Sequence, residues 1–350
     1  MIFNRYKRLI WIGFLLTFLF FGFDDENSNV EAINILASGD TMLGSWAGMV
    51  MADSGYAYPF QYLREYVDEA DIFFTNLEAP FGTTGQTFEK QYTFRVKPDL
   101  VNVLLAGKIN LVSLGNNHIM DYGFSCLQET INVLEKHQIK FAGAGRNLQE
   151  ARKAAVLEVK GKKIGFLSYS LTFPEEFWAS DSTPGTCFPY DTFVFKDVKA
   201  LKKTTDFVIV SCHWSAELLE NAKKYQINLA HRMIDSGADL ILGHHPHVLQ
   251  GIEMYKGRLI AYSLGNFIFG SYSENVKDSM LLKITLQADD SIIAQVVPIK
   301  VYNKEVEFRP VPLRDEEKQE FIYRLAKLSL ELNDSPFGIN SEGFIKWQKS

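Results

Sequence analysis

The chain contains the sequence LILGHHPH at residues 240–247, a short apolar run followed by three histidines. Apolar runs of this length are typical of buried strands, so a strand is predicted from Leu240 to Leu242. The histidines fall just beyond its carboxyl end. Because ligands of open α/β sheets bind outside the carboxyl ends of the strands, this stretch indicates both a fold class and the position of a site.

Five further strands with this layout are predicted, each a short apolar run that leads into polar residues. They are Ile33 to Ala37, Ile72 to Thr75, Asn110 to Leu114, Phe207 to Ser211 and Leu259 to Ser263. Segments with apolar residues at helical spacing lie between strands, and the clearest runs from Phe124 to His137. Strands that alternate with helices predict an α/β fold with a largely parallel core sheet.

Two β-rich stretches indicate that the fold contains two sheets. Residues 155–170 are predicted to form a hairpin around the turn-like sequence KGKK at residues 160–163. A second β-rich stretch comprises Met280 to Leu286 and Ile292 to Tyr302. The segment from Phe173 to Thr192 is predicted to be a long surface loop, and such loops often act as lids or binding loops.

Polar side chains that bind metals in other proteins follow the core strands. They combine carboxylate and amide oxygens with imidazole nitrogens. This mixture suits manganese, iron or zinc, whereas ligand sets made only of oxygen suit calcium and magnesium. We therefore predict one or two divalent metal ions, held by Asp40, Glu78, Asn117, His213, His245 and His247.

More specific predictions concern one of these ligands and two neighbouring histidines. Glu78 is suited to bridge two ions, which would lower the pKa of a shared water. His118 is predicted to stand beside the metals as a general acid or an electrostatic stabiliser. His244 is predicted not to be a ligand, because strand alternation directs it away from His245 and His247.

Two interpretations apply to each of three other polar residues. Asp121 either supports the site or caps the helix that begins near Phe124, and capping is the preferred interpretation. Glu217 either supports a metal ligand or is a solvated helix residue. Arg95 either contacts an anionic group of a substrate or forms a surface salt bridge, and Asn266 is also assigned to substrate binding.

The first residues are typical of a targeting segment. Arg5, Lys7 and Arg8 precede an apolar run from Leu9 to Phe23. We predict a retained membrane anchor, with a cleaved signal peptide as the alternative. Basic residues before the span place the rest of the chain outside the cytoplasm, at the cell membrane. The predicted organisation is an anchor and linker at residues 1–32, one domain at 33–335 and a C-terminal tail at 336–350.

The composition argues against several other classes of protein. Of the 350 residues, 47% are hydrophobic and 22% are charged, which is typical of a globular protein. The formal net charge of −6 comes without a long basic run, so nucleic acid is not an expected partner. Three cysteines without C-x-x-C spacing argue against a disulfide framework or a zinc knuckle.

Several short motifs occur in a fixed order: GD at 39–40, NLE at 76–78, NNH at 116–118, HW at 213–214, GHHPH at 243–247 and SLGNF at 263–267. This order closely resembles the capsule-synthesis CapA family, the poly-γ-glutamate synthesis proteins. The resemblance extends from about Ile33 to Val301. It implies a four-layer αββα sandwich like that of the calcineurin-like metallophosphoesterases. It also implies a role in capsule or poly-γ-glutamate synthesis or export, with a membrane synthase complex and an anionic envelope polymer as partners.

The chain departs from the phosphoesterase pattern at three positions. Met42 stands where a histidine is usual, two residues after Asp40. The bridging acid, Glu78, is a glutamate rather than an aspartate, and Ile119 follows His118 where an acid is usual. The missing imidazole weakens one of the two metal positions. The resemblance therefore implies either a metal-dependent hydrolase or transferase, or a non-catalytic subunit that binds the polymer.

Overall fold

Two β-sheets form the centre of the protein in a computed structural model that describes residues 31–333 and 336–347. The strands within these residues are β1 (Ile33–Thr41), β2 (Ile72–Leu77), β3 (Leu111–Ser113), β4 (Lys140–Ala142), β5 (Ala144–Gly145), β6 (Ala155–Val159), β7 (Lys162–Ser170), β8 (Gly185–Thr186), β9 (Phe207–His213), β10 (Leu240–His244), β11 (Ile252–Tyr255), β12 (Arg258–Ala261), β13 (Asp278–Leu286), β14 (Ile292–Lys300), β15 (Val311–Pro312), β16 (Phe337–Ile339) and β17 (Ile345–Trp347).

Each large sheet has a parallel centre and antiparallel strands beside it. The first sheet has the order β15-β14-β13-β1-β2-β3-β4, in which β1 to β4 are parallel. The second has the order β11-β12-β10-β9-β7-β6, in which β7, β9, β10 and β12 are parallel. Parallel neighbours bring their carboxyl ends to the same edge of a sheet, so each sheet delivers several strand ends together.

The helices lie along the chain between these strands and after them. Within the described residues they are α1 (Ser45–Ser54), α2 (Arg64–Glu69), α3 (Val101–Ala106), α4 (Gly123–Lys136), α5 (Leu148–Ala151), α6 (Val194–Lys202), α7 (Lys224–Asp235), α8 (Asn303–Val306) and α9 (Asp315–Leu330). The predicted helix from Phe124 to His137 is confirmed as α4.

Alternating side chains of the central strands pack into different layers. Ile35 of β1 and Ile209 of β9 lie in one apolar cluster, which contains residues of both sheets and fills the space between them. Their neighbours point outward: Leu36 packs with residues of α1 to α4, and Val210 packs with residues of α6 and α7. This period of two is the ordinary consequence of strand geometry. The predicted four-layer αββα sandwich is therefore confirmed.

All six predicted core strands are present, and four of them extend further towards the carboxyl end than predicted, including β2, which runs to Leu77. β1 runs to Thr41, β9 to His213 and β10 to His244. Asp40 and His213 thus belong to the strands themselves, which fixes their backbone. The predicted hairpin at residues 155–170 is formed by β6 and β7, and the two-sheet prediction is confirmed.

The structure describes most of the predicted C-terminal tail but almost none of the predicted N-terminal anchor. Residues 337–347, within the predicted tail, contain the antiparallel pair β16–β17. The predicted anchor, residues 1–32, falls almost entirely outside the described residues, which begin at Glu31. Among the described residues, no helix has both the length and the apolar character needed to cross a membrane.

Candidate metal centre

The strand ends of the two sheets meet at one place. Asp40 in β1 pairs with Asn76 in β2, and His244 in β10 pairs with His213 in β9. The segment after β12 connects them, because the backbone N–H of Asp40 donates to the carbonyl of Gly265 at 2.9 Å. Residues from distant parts of the sequence therefore line one cleft.

Gly39 makes this close approach of two backbones possible. A Cβ atom added at Gly39 would lie 1.9 Å from the carbonyl oxygen of Gly265. Gly265 has a φ of 73°, in the left-handed region that glycine adopts without strain. Any larger residue at position 39 would push the segment after β12 away from β1 and would displace Asp40.

Two groups of side chains could each hold a metal ion. One consists of Glu78, His213 and His245, and the other of Asp40, Glu78 and His247. Within each group, one candidate ligand atom from every residue lies within 4.8 Å of the others. Glu78 belongs to both groups, which is the arrangement expected of a bridging carboxylate.

The residues present fit a divalent cation. Glu78 Oε1 and His245 Nδ1 are buried and have no hydrogen-bond partner among the described residues. Buried polar atoms are nearly always paired, so unpaired ones require an explanation. A cation between Glu78 and the imidazoles would satisfy both atoms, and the mixture of oxygen and nitrogen donors suits manganese, iron or zinc.

Asparagine side chains fix the oxygen ligands. The Asn76 amide donates to Asp40 Oδ1 at 2.8 Å, and its nitrogen lies 3.2 Å from His213 Nδ1. Asn116 donates in turn to Asn76 Oδ1 at 3.2 Å. Asn117 Oδ1 lies 2.8 Å from His213 Nε2, so its amide oxygen is at the ligand group that contains His213.

The turn after β10 supplies two of the imidazoles. His245 and His247 have φ values of 94° and 59°, so the chain is no longer a strand at these positions. His247 Nδ1 lies 3.1 Å from Asp40 Oδ2 and 2.9 Å from Asn266 Oδ1. Its Nε2 lies 3.9 Å from Glu78 Oε1.

His244 is absent from both ligand groups, as expected, but strand alternation is not the reason. The ring is fully buried, packs against Phe74 with the ring centroids 5.5 Å apart, and places Nδ1 3.3 Å from Asp40 Oδ1. Alternation does not apply beyond His244, because His245 and His247 lie in the turn. His244 is therefore buried in the interior, next to Phe74 and Asp40, and is not part of the turn that carries the other two histidines.

Burial and charge give the two acids opposite protonation behaviour. Burial raises the pKa of Glu78 well above its usual range, and the negative charge of Asp40 adds to this effect. Burial alone would also raise the pKa of Asp40, but hydrogen bonds with His244 and His247 outweigh it and hold that pKa well below its usual range.

The imidazoles are similarly divided. Burial lowers the pKa of His245 to about 3, and the nearby His247 adds to this shift. Burial also lowers the pKa of His213 well below its usual value. Burial would lower the pKa of His247 as well, but the charges of Glu78 and Asp40 outweigh it and raise that pKa to about 9. His213 and His245 are therefore neutral near pH 7, which is the form that binds metals.

His118 lies at one side of the metal centre and is held by Asp121. Its Nδ1 lies 2.8 Å from Asp121 Oδ2, which also accepts from the backbone N–H of Phe94 at 2.7 Å. The prediction that Asp121 caps the following helix is wrong: Tyr122 is at the N-cap of α4, and no side chain caps that helix. Asp121 thus provides the carboxylate that Ile119 cannot.

A family model described as Bacterial capsule synthesis protein PGA_cap matches residues 34–271. The chain belongs to this family. The PGA biosynthesis protein CapA of Bacillus subtilis is 33% identical over 291 residues, which cover 82% of this chain and 75% of that protein. The capsule biosynthesis protein CapA of Bacillus anthracis is 28% identical over 302 residues, which cover 84% and 72%. The resemblance inferred from the motifs is confirmed.

A similarity to solved structures is weaker. A putative 5′-nucleotidase from Staphylococcus aureus is 11% identical, and the match covers 85% of this chain and 58% of that chain with a TM-score of 0.47.

The remaining predicted residues of this PGA_cap chain lie around the ligand groups rather than in them. Asn266 is buried with its Oδ1 on His247 Nδ1, so it orients a candidate ligand. Arg95 is exposed and donates to the carbonyls of Thr83 and Thr84, and it forms no salt bridge among the described residues. Its role as a substrate contact stays a prediction.

Glu217 is exposed and lies in an irregular segment, so its interpretation as a helix residue is wrong. Its charge raises the pKa values of Glu78 and His247, which indicates that it lies near the mouth of the site. Sequence reasoning missed three residues that support the site. Asn76 and Asn116 stood inside the recognised motifs, whereas Lys90 lies in a loop without any pattern.

Proposed function

We propose that this chain is a CapA-like accessory protein of capsule or poly-γ-glutamate synthesis with a metal-dependent, phosphoesterase-like hydrolase or transferase site. The family and the names of the two Bacillus relatives support the first part. The second part rests on one observation: the buried Glu78 is shared by two ligand groups, and its Oε1 has no partner among the described residues.

The side chains at the centre have separable tasks in this proposal. Asp40, Glu78, Asn117 and the histidines would hold one or two metal ions, which act as Lewis acids on a phosphoryl or acyl oxygen. His118 lies beside them and interacts electrostatically with His245. Because the Asp121 carboxylate accepts from Nδ1, the Nε2 atom of His118 is available to exchange a proton with a substrate.

We also propose that the N-terminal segment anchors the protein in the cell membrane with its folded part outside the cytoplasm. The support is the order of basic residues, apolar run and acidic residues in the sequence. In this position the metal centre would meet an anionic envelope polymer, or its precursor, beside the subunits of a membrane synthase complex.

The test uses the full chain, purified in detergent and loaded with manganese, zinc or iron. Hydrolysis of p-nitrophenyl phosphate and of bis(p-nitrophenyl) phosphate would be measured together with metal content. We expect His118→Ala to keep its metal and to lower the rate by about 10² to 10⁴. His245→Ala should lose metal and activity together. His137→Ala is the matched control, because His137 lies at the end of α4 and outside both ligand groups.

Two outcomes would overturn this proposal. Absence of stoichiometric metal with all three cations would exclude the metal centre. Metal-loaded wild-type protein that hydrolyses neither probe, nor an acyl or amide bond of the envelope polymer, would exclude the enzymatic role.

One observation favours a second candidate, a subunit that binds the polymer through its metal without catalysis. Met42 occupies the position where the resemblance implies a histidine, and its buried sulfur accepts from the backbone N–H of Gly44 at 3.1 Å. That position therefore supplies no imidazole. If His118→Ala leaves metal content and polymer output of producing cells unchanged while His245→Ala abolishes both, the binding role replaces the enzymatic one.

A further inference from the structure

Lys90 lies against the residues that carry the proposed proton transfer, although the sequence gives no sign of it. Its Nζ is 2.5 Å from Asp121 Oδ1, 2.6 Å from the carbonyl oxygen of Asn117 and 3.2 Å from His118 Nδ1. The side chain is 18% exposed and that of Asp121 is fully buried. A lysine ammonium has three donors and no acceptor. It can therefore donate to the Asn117 carbonyl and pair with Asp121, whereas an Nδ1 of His118 that carries a proton lies close to it without accepting from it.

The position of Lys90 determines how Asp121 meets His118. The ammonium forms an ion pair with Oδ1, and the backbone N–H of Phe94 donates a hydrogen bond to Oδ2. With both oxygens engaged, Oδ2 stays directed at His118 Nδ1, which lies 2.8 Å away. A carboxylate only accepts, so this contact places the proton of the neutral imidazole on Nδ1 and leaves a lone pair on Nε2.

The same ammonium also holds the backbone at the metal centre. Its contact with the Asn117 carbonyl fixes the turn whose side-chain oxygen lies 2.8 Å from His213 Nε2. On its other side the ammonium lies over the ring of Phe177, 5.2 Å from the centroid. Phe177 belongs to the loop that the sequence predicts as a lid or binding loop, so Lys90 joins three separate segments.

We propose that Lys90 is a positioning residue, which fixes Asp121 and the Asn117 carbonyl so that His118 presents its unprotonated Nε2 and Asn117 presents its Oδ1 to the metal centre. The kinetic part of this proposal rests on the proposed function. The geometric part does not, because the tautomer of His118 can be observed in protein that has no measurable activity.

The test replaces Lys90 in the full chain, labelled with ¹⁵N-histidine, loaded with zinc and held in detergent. Long-range ¹H–¹⁵N spectra identify the protonated nitrogen of each histidine, and His118→Gln assigns the signals of His118. We expect the Nδ1–H form of His118 in the wild type and a mixture of both tautomers in Lys90→Met. Lys90→Arg, which keeps the charge, should restore most of the Nδ1–H form.

Kinetics supply a second readout that a purely structural role would not produce. In Lys90→Met we expect kcat to fall about 10- to 100-fold, the range for loss of a residue that orients a catalytic or metal-binding group, and KM to change less than about twofold. Lys97→Met is the matched control, since Lys97 is an exposed lysine near the same loop with no ion pair among the described residues.

Each result decides the proposal. A folded, zinc-loaded Lys90→Met protein with the wild-type His118 spectrum overturns it. Should loss of the charge beside the buried Asp121 prevent folding, Lys90→Gln, which keeps a hydrogen-bond donor, replaces it, with the same expected and contrary spectra. If the wild type hydrolyses no probe, the proposed enzymatic function fails. The tautomer of His118 in the histidine spectrum then tests the positioning role of Lys90 by itself.

Discussion

The candidate metal centre has two halves that come from different sheets and are built in different ways. The oxygen half consists of Asp40, Glu78 and Asn117. Asp40 lies near the end of β1, and the other two follow the neighbouring parallel strands β2 and β3 of the first sheet. The imidazole half consists of His213, His245 and His247. His213 ends β9 of the second sheet, and the other two lie in the turn after β10, where their φ values are positive.

Neither half holds a metal alone. Each ligand group combines Glu78 with at least one histidine from the other sheet. Cross-contacts align the halves, since Asn76 lies against His213 and Asp40 lies against His247. The site therefore depends on how the two sheets pack. Substitution of Glu78, which both ligand groups share, should affect metal binding most.

The largest expected effect is on metal content, when that shared residue is changed. Glu78→Gln keeps the shape of the side chain but removes its charge, so we expect both metal positions to be lost. His213→Gln should empty only the group with Glu78 and His245, because Asp40, Glu78 and His247 remain. Metal content of the purified full chain, measured by mass spectrometry, distinguishes the two variants.

Glu316→Gln is the control, since Glu316 is an exposed glutamate on α9. A Glu78→Gln protein with wild-type metal content would show that Glu78 does not bridge. Equal losses in Glu78→Gln and His213→Gln would instead show that the two groups form one metal position.

The next effect concerns the pH dependence of stability after metal removal, where two histidines of the imidazole half act in opposite directions. His245 has a folded-state pKa of about 3, below the ordinary value of 6.5, so the unfolded chain binds a proton first as the pH falls. Its contribution to the free energy of unfolding is therefore lost from pH 6.5 down to about 3. His247 has a raised pKa of about 9, so its contribution is lost as the pH rises from 6.5 through 9.

Two single variants separate these contributions. His245→Gln should flatten the acid side of the stability profile, and His247→Gln should flatten the alkaline side. Chemical denaturation of chelator-treated protein between pH 4 and pH 9 provides the profile. If both variants alter the same side, the assignment of the two protonation states is incorrect.

The candidate ligands could be chosen from the sequence because the relevant signal is local to each strand. Apolar runs that lead into Asp40 and His213 placed these donors near the carboxyl ends of strands. The strands β1 and β9 include both residues, which the runs did not show. The presence of two sheets and the hairpin at residues 155–170 also followed from the sequence, whereas the order of the strands within each sheet was not predicted. What brings the donors within a few ångströms is the packing of one sheet on the other, which the family resemblance implied.

The errors lie where side chains act across the fold. Asp121 precedes a helix, so local reasoning assigned it to capping, whereas its partners are His118 and the distant Lys90. Glu217 comes shortly after β9, where a helix was one of the two interpretations, but it lies in an irregular segment. Lys90 belongs to no strand, helix or motif, and only its contacts with Asn117 and Asp121 reveal it.

A smaller effect should separate two roles of Asn266. Its Oδ1 contacts Nδ1 of His247, so Asn266→Ala frees that ring to rotate. Loss of a partner that orients a metal ligand typically weakens metal binding about 10- to 100-fold. Competition with a zinc-sensitive dye measures the affinity. If the affinity for zinc is unchanged and KM rises, Asn266 contacts the substrate, as the sequence analysis predicted, and does not orient His247.

The smallest effect is expected at Arg95, whose contacts among the described residues include none of the candidate ligands. The guanidinium donates to the carbonyls of Thr83 and Thr84 at 3.3 and 3.2 Å and stacks over Tyr122, 4.3 Å from the ring centroid. An exposed cation–π contact contributes roughly 0.5–1 kcal/mol. Arg95→Ala should therefore lower the free energy of unfolding by about 1 kcal/mol and leave metal content unchanged.

Denaturant unfolding of the metal-loaded protein tests this expectation, with Arg95→Lys as the comparison that keeps the charge but loses the planar stack. Loss of metal in Arg95→Ala would mean that the loop around Thr83 supports the ligands, contrary to the contacts described. If stability and metal content stay near wild type while KM for an anionic probe rises in Arg95→Ala but not in Arg95→Lys, the charge itself recognises substrate. In that case a residue outside both halves of the candidate centre would select the substrate, while the ligands of the two halves would hold the metal.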